Sequence, residues 1–299
     1  MNRRLTCTLT SSLLLCTVLF ASGAESIIFT PSVMLSAGAE GNRYHTADDQ
    51  QSEFFMDASP ALSLLWFATE QADMEIGASF LQRSYTSDAG EQQSPSLSAG
   101  IHYRLGSLQL AATTSAGTFQ DSVLPDDDAL WMQSTLAAGF NFRSGQQIYL
   151  RSSYHRRDYD SRMTLAGEDQ TADITGLIAG FFTPLADRMT CWTELQQTRI
   201  AANEPLDEAS EIAIAAGVGF RTSARGNLDI SFKYATATTP DDDGVDADTR
   251  PWTVALGYSH RLTDWCSWQN SMRWEQVADG RDLYDEWSIV TAISLAIDL

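Results

Sequence analysis

The chain has 299 residues, of which 39 are acidic and 19 basic, giving a formal net charge of −20, and 43% of its residues are hydrophobic. An acidic surplus of this size opposes binding to a polyanion, so we expect no nucleic-acid partner. The one apolar run of any length, residues 13–21, is too short to cross a bilayer as a helix.

The first residues contain the three parts of a secretory signal peptide. Two arginines near the start precede the apolar run, and the small residues Ser-Gly-Ala follow it at 22–24. We therefore predict a signal peptide over residues 1–24 and a mature protein of one domain over residues 25–299.

After the predicted cleavage site one unit recurs, a segment of about 10 to 14 residues in which apolar and polar side chains alternate, as they do in membrane-spanning strands. The pattern predicts an all-β chain of about 14 strands, with 12 to 16 allowed, arranged as a transmembrane antiparallel up-and-down barrel. In the segment 171–184 both faces are apolar. The apolar parity of each strand is assigned to the outside, and its members include Phe29, Val33, Leu35, Leu62, Leu64, Trp66, Met74, Ile76, Phe80, Leu97, Ile101, Leu110, Leu136, Phe140, Ile148, Leu150, Ile174, Ile178, Phe182, Cys191, Leu195, Ile212, Ile214, Phe232, Val254, Leu256, Trp268 and Met272.

The connections between these strands alternate in length. Short turns are expected near 70–71, 106–107, 144–145, 186–187, 224–226 and 263–264, and longer loops at about 41–54, 87–94, 120–129, 161–170, 202–209, 239–248 and 278–284. Short turns at one rim and longer loops at the other favour a barrel over a secreted β-sandwich, which has edges to protect and does not sort its loops in this way.

The last stretch, residues 285–299, has one apolar face and one face of small and polar residues. Trp287, Ile289, Ile293, Leu295, Ile297 and Leu299 share the first face. A long final strand needs a partner edge, and pairing with the first strand closes a barrel. Here the chain resembles bacterial outer-membrane β-barrel proteins, whose final strand acts as the assembly signal. The resemblance implies a location in the cell outer membrane of a Gram-negative-type cell, with outer-membrane lipid, lipopolysaccharide and the barrel assembly machinery as partners.

The inward parity is dominated by Ser, Gly, Ala and Thr, which are too small to fill a barrel of this size. A water-filled lumen is therefore expected. With such a lumen the protein looks porin-like, a monomeric channel for passive diffusion of small hydrophilic solutes. One alternative is a structural or surface-interaction protein without a transport role, and another is an exopolysaccharide-secreting barrel, a class that usually carries a periplasmic repeat domain.

No arrangement of residues in the sequence predicts an enzyme. The four histidines are His45, His102, His155 and His260, and none has the spacing of a metal site or of a known catalytic motif. We expect no catalytic residue, metal or cofactor. The two cysteines of the mature chain, Cys191 and Cys266, are predicted to be free thiols on the outer face, because they lie on distant strands.

Charged side chains on the inward parity are the candidate pore-lining residues: Arg104, Arg143, Arg151, His155, Glu194, Arg221, Lys233 and Arg261. Four of these arginines, at positions 104, 143, 221 and 261, close strands that run towards short turns, so we expect them near the periplasmic mouth. Cross-strand pairing is the competing interpretation, with Asp229 opposite Arg221 and Glu75 beside Arg104.

The predicted long loops carry most of the acidic residues, notably Asp126, Asp127, Asp128, Asp241, Asp242 and Asp243. These carboxylates form either a solvated surface or an electronegative vestibule that concentrates cations. With the vestibule, the channel is expected to be weakly cation-selective.

Overall fold

The computed structural model describes residues 26–41, 52–86, 90–164, 167–204, 208–240, 246–279 and 282–297. Their regular structure is almost entirely strand. The strands are β1 Ser26–Gly41, β2 Glu53–Phe67, β3 Ala72–Tyr85, β4 Glu91–Leu105, β5 Leu108–Asp121, β6 Ala129–Asn141, β7 Gln147–Met163, β8 Asp169–Ala186, β9 Met189–Ala202, β10 Ala209–Arg221, β11 Gly226–Pro240, β12 Asp246–Thr249, β13 Trp252–Arg261, β14 Cys266–Asp279 and β15 Asp282–Ala296. Within the described ranges no helix is long or apolar enough to span a membrane.

The strands form one closed antiparallel barrel. Each strand pairs with its neighbours in sequence, and β1 pairs with both β2 and β15. Because β12 and β13 pair with successive parts of β11, they are two segments of one barrel strand, separated at Pro251, which has no N–H to donate to the ladder. The predicted fold, a barrel of fourteen strands closed by the last one, is confirmed.

The two faces of each strand differ in size and polarity. On β10, Ile212 and Ile214 are 59% and 65% exposed, whereas Ala213 and Ala215 between and beyond them are 1% and 4% exposed. The final strand repeats the pattern, with Ile289 and Ile293 outside. An outer wall of exposed apolar side chains requires hydrocarbon around it, as in membrane barrels.

The predicted faces of β8 are wrong. Ile174, Ile178 and Phe182 were assigned to the outside, but they pair with the lumenal residues of β7 and face inward; the outer face of β8 carries Leu177, Phe181 and Leu185 instead. With both parities apolar, the strand itself gives no signal of its orientation. The registers with β7 and β9 decide it, because a shift of one residue exchanges the two faces.

Several of the long loops are shorter than the sequence predicts. Strands β7 and β8 continue to Met163 and from Asp169, and β14 and β15 stay paired up to Asp279 and Asp282. Polar residues at these ends extend the strands beyond the apolar belt without ending the pairing. Cys191 and Cys266 are free thiols, as predicted, on the outward parity of β9 and β14.

Candidate functional site

The interior of the barrel is a water-accessible lumen rather than a packed core. Among the described residues, Phe55 is the only large side chain that is fully buried, and the buried hydrophobic clusters are small. Polar side chains on the inward parity, such as Gln133, Arg151 and Gln269, are exposed although they lie inside the ring of strands. The small side chains on the inward parity therefore leave the interior of the barrel hollow.

Several large rings on the inner wall contact glycines of a neighbouring strand. A Cβ atom on Gly180 would lie 2.5 Å from Cε2 of Tyr149, and one on Gly217 would lie 2.5 Å from Cε2 of Trp192. On Gly38 it would lie 2.6 Å from Cζ of Phe55. The glycines thus leave room at the wall for these rings.

A network of charged groups joins β1, β2 and β3 near the rim where β1 ends. The Arg83 guanidinium donates to both oxygens of Asp57 at 2.8 and 3.1 Å and to Glu40 at 3.1 Å, and Tyr85 Oη donates to Glu40 at 2.8 Å. The guanidinium carbon also lies 3.8 Å from the centre of the Phe55 ring, a cation–π contact. Sequence reasoning missed this network, whose only signal is charge on the inward parity of adjacent strands.

A second cluster lies at the opposite end of the lumen, where β4 approaches its short turn. Asp73 contacts Nδ1 of His102 at 2.7 Å and accepts a hydrogen bond from Arg104 at 3.0 Å. The predicted partner of Arg104 was Glu75, but Glu75 lies opposite Gly100, further from the turn. Asp73 therefore holds both basic side chains.

The other three predicted mouth arginines make no ion pair within the described part of the chain. Arg221 lies opposite Asn227, and Asp229 lies opposite Gly219, so the expected pair is absent. Arg261 ends β13 with an exposed side chain. Arg143 lies in the turn after β6 rather than in the strand, because β6 ends at Asn141.

The remaining pore-lining candidates all lie on the inner wall. Glu194 accepts hydrogen bonds of 2.6 Å from both Tyr149 Oη and Gln196 Nε2. Lys233 forms an ion pair of 2.6 Å with Glu211.

Two candidates on β7 have no such partner. Arg151 is exposed to the lumen and makes no ion pair in the described structure. His155 packs at the edge of Trp131, with 6.2 Å between ring centres, and its buried Nε2 has no hydrogen-bond partner.

The acidic rim is described only in part. Pro125–Asp127 forms a short 3-10 helix, and the Asp128 carboxylate accepts a hydrogen bond of 2.6 Å from the backbone N–H of Asp121. Asp128, one of the acidic residues of the rim, thus stabilises the conformation of the loop. Asp241, Asp242, Asp243 and His45 lie outside the described residues, and among the described ones no cluster of His, Cys, Asp or Glu is arranged to hold a metal ion.

The fold is that of outer-membrane β-barrel proteins. The chain is similar to a loop-deletion mutant of OmpT, an outer membrane protein of Vibrio cholerae (TM-score 0.54, 10% identity, 91% of this chain and 99% of that one). It is also similar to a bacterial polysaccharide outer membrane secretin (0.54, 8%, 89% and 98%) and to a mutant of the monoaromatic hydrocarbon channel TodX (0.54, 9%, 93% and 91%). No family model and no curated protein sequence matches the chain.

At these identities the likeness shows the fold alone. The apolar outer wall adds independent physical support for a membrane protein. The location predicted from the sequence, the outer membrane, agrees with both observations.

Proposed function

We propose that the protein is a passive channel for small hydrophilic solutes. The observation that carries this proposal is the exposed polar inner wall of a closed barrel, with Gln133, Arg151 and Gln269 in contact with the lumen. A hollow barrel with a hydrophilic wall provides a path for water-soluble molecules. Outer-membrane lipid and lipopolysaccharide surround the barrel in this proposal, and the barrel assembly machinery inserts it.

The proposal includes no enzymatic step. In the described structure His102 Nδ1 contacts Asp73, and the buried Nε2 of His155 has no hydrogen-bond partner.

Weak cation selectivity is part of the same proposal. The net charge of −20, carried largely by the predicted long loops, biases the potential at that mouth of the channel towards cations. Arg151, Arg221 and Arg261, which have no ion-pair partner in the described structure, oppose this bias at the wall. The preference for cations is therefore small.

Liposome swelling tests the channel directly. Vesicles that contain the folded protein are placed in isotonic solutions of neutral sugars of increasing size. We expect fast swelling with small sugars and slower swelling with larger ones, and none in vesicles made with heat-denatured protein. Equal rates for folded and denatured protein would contradict the proposal and favour a structural or surface-interaction role.

A channel for apolar solutes is a second candidate, favoured by one observation. Ile174, Ile178 and Phe182 place an apolar stripe on the lumenal face of β8. If this stripe conducts apolar solutes, toluene should reduce ion conductance, and Ile178→Asn should weaken that reduction. A hydrophilic channel should show no effect of toluene.

A further inference from the structure

A recess in the inner wall lies between β3 and β7 on the half of the lumen that contains the short turns. Its volume is about 790 Å³. The floor is made of small residues on β5 and β6, namely Ala111, Ala137 and Gly139. Longer side chains, several of them polar or charged, border the floor on both sides, so the recess is concave, with a mostly apolar surface and polar groups at its borders.

Two borders of the recess carry charges of opposite sign that have no ion-pair partner in the described structure. Glu75 on β3 and Arg151 on β7 are both exposed to the lumen. The other charges of the recess are already matched, since Asp73 holds His102 and Arg104. One carboxylate and one guanidinium therefore face the recess without an ion-pair partner among the described residues.

The strand registers set the distance between these two groups. Arg151 lies opposite Ala137 and Ala137 opposite Ala111. Ala111 lies opposite His102, which lies opposite Asp73, and Glu75 follows Asp73 by two residues on the same face of β3. The two backbones are four strands apart, roughly 19 Å along the wall at about 4.8 Å per strand. Both long side chains point inward on a curved wall, which leaves a smaller gap between the charged ends.

The rest of the recess is held in position around this gap. Tyr149 is fixed by its hydrogen bond to Glu194, and its ring lies against Gly180. The ring thus forms a stable border beside Arg151 instead of a mobile side chain that could fill the space.

We propose that this recess binds zwitterionic solutes during their passage, with the ammonium group at Glu75 and the carboxylate at Arg151. A guanidinium pairs well with a carboxylate through two parallel hydrogen bonds. A peptide of three residues spans about 10 Å when extended, a length suited to bridging two inward-pointing side chains. The substrate class is therefore short peptides with free termini, an inference that rests on the proposed channel function.

Single-channel current in the presence of triglycine tests the assignment. We expect triglycine to reduce the mean current of the folded protein at millimolar concentration, and N-acetyl-triglycine amide, which has no charged ends, to have little effect. Glu75→Gln and Arg151→Gln should each raise the half-blocking concentration by about fivefold, the effect of losing one exposed ion pair. Arg157→Gln is the matched control, since Arg157 is an exposed inward residue of β7 outside the recess.

Each outcome has one meaning. Equal block by the charged and the uncharged peptide, or equal effects of Arg151→Gln and Arg157→Gln, would overturn the assignment of the recess. Ion conductance without any block by triglycine would overturn this inference alone and leave the channel intact. Absence of ion conductance in folded protein would overturn the proposed function itself.

Discussion

Tyr149 Oη donates a hydrogen bond of 2.6 Å to Glu194 across the intervening strand, where the residue between them is Gly180. The tyrosine ring covers the glycine, so a side chain at position 180 and the ring cannot occupy the same space. The bond spans three strands and holds the ring against the wall of the lumen. The width of the lumen at this level therefore depends on a glycine.

Gly180→Ala should narrow the channel. The added methyl group overlaps the Tyr149 ring, and since the lumen is the open side, the ring moves into it. We expect a lower single-channel conductance and a loss of stability of about 1–3 kcal/mol from overpacking. Gly257→Ala is the matched control, because nothing lies within 4 Å of a Cβ at that lumenal position. Equal conductance in the two variants would show that the ring does not set the width.

Arg83→Gln should destabilise the folded barrel. The change leaves the side chains of Asp57 and Glu40 without their shared cation, and Asp57 is nearly buried. Lost hydrogen bonds to charged groups cost about 1.5–3 kcal/mol each, less where water replaces them. Urea unfolding of the lipid-folded protein measures the change, with the exposed Arg157→Gln as reference. An unchanged unfolding midpoint would mean that the network contributes nothing to stability.

Adjacent residues on β8 test the corrected faces of that strand. Leu177→Arg puts a charge on the lipid side and should cost about 2–4 kcal/mol if it lies near the middle of the bilayer, whereas Ile178→Arg puts it in the lumen and should be tolerated. The measurement is the yield of heat-modifiable protein in the outer membrane. A lower yield for Ile178→Arg than for Leu177→Arg would contradict the structure and support the assignment made from the sequence, with Ile178 on the lipid side.

The strand count and the closing strand could be predicted from the sequence because a period of two is a local property. Ile289 and Ile293 show their outward orientation through their own neighbours in the chain. The charge networks could not be predicted in the same way, since Arg83 and Glu40 are 43 positions apart and only the register of three strands brings them together. Likewise Arg104 lies near the turn, as predicted, but its partner is Asp73 rather than Glu75. The two carboxylates are two positions apart on the same strand, so the error is one of register.

Removing the mouth arginines should increase the preference for cations. The double change Arg221→Gln and Arg261→Gln deletes two positive charges that no described carboxylate neutralises. Reversal potentials in a salt gradient should then indicate a stronger preference for cations. The increase should be larger in dilute salt, because screening weakens as the Debye length grows beyond about 8 Å. Asp241, Asp242 and Asp243 changed to Asn should shift the potential in the opposite direction. Anion preference in the unmodified protein would refute the proposed charge balance.

The open lumen is tested most directly by the conductance of single molecules in a planar lipid bilayer. Protein that has folded, as shown by its faster migration on unheated than on boiled gels, should insert and produce discrete current steps in potassium chloride. The same preparation after boiling should produce none. Folded protein that inserts into the bilayer without any current steps would contradict the open lumen and, with it, the proposed channel.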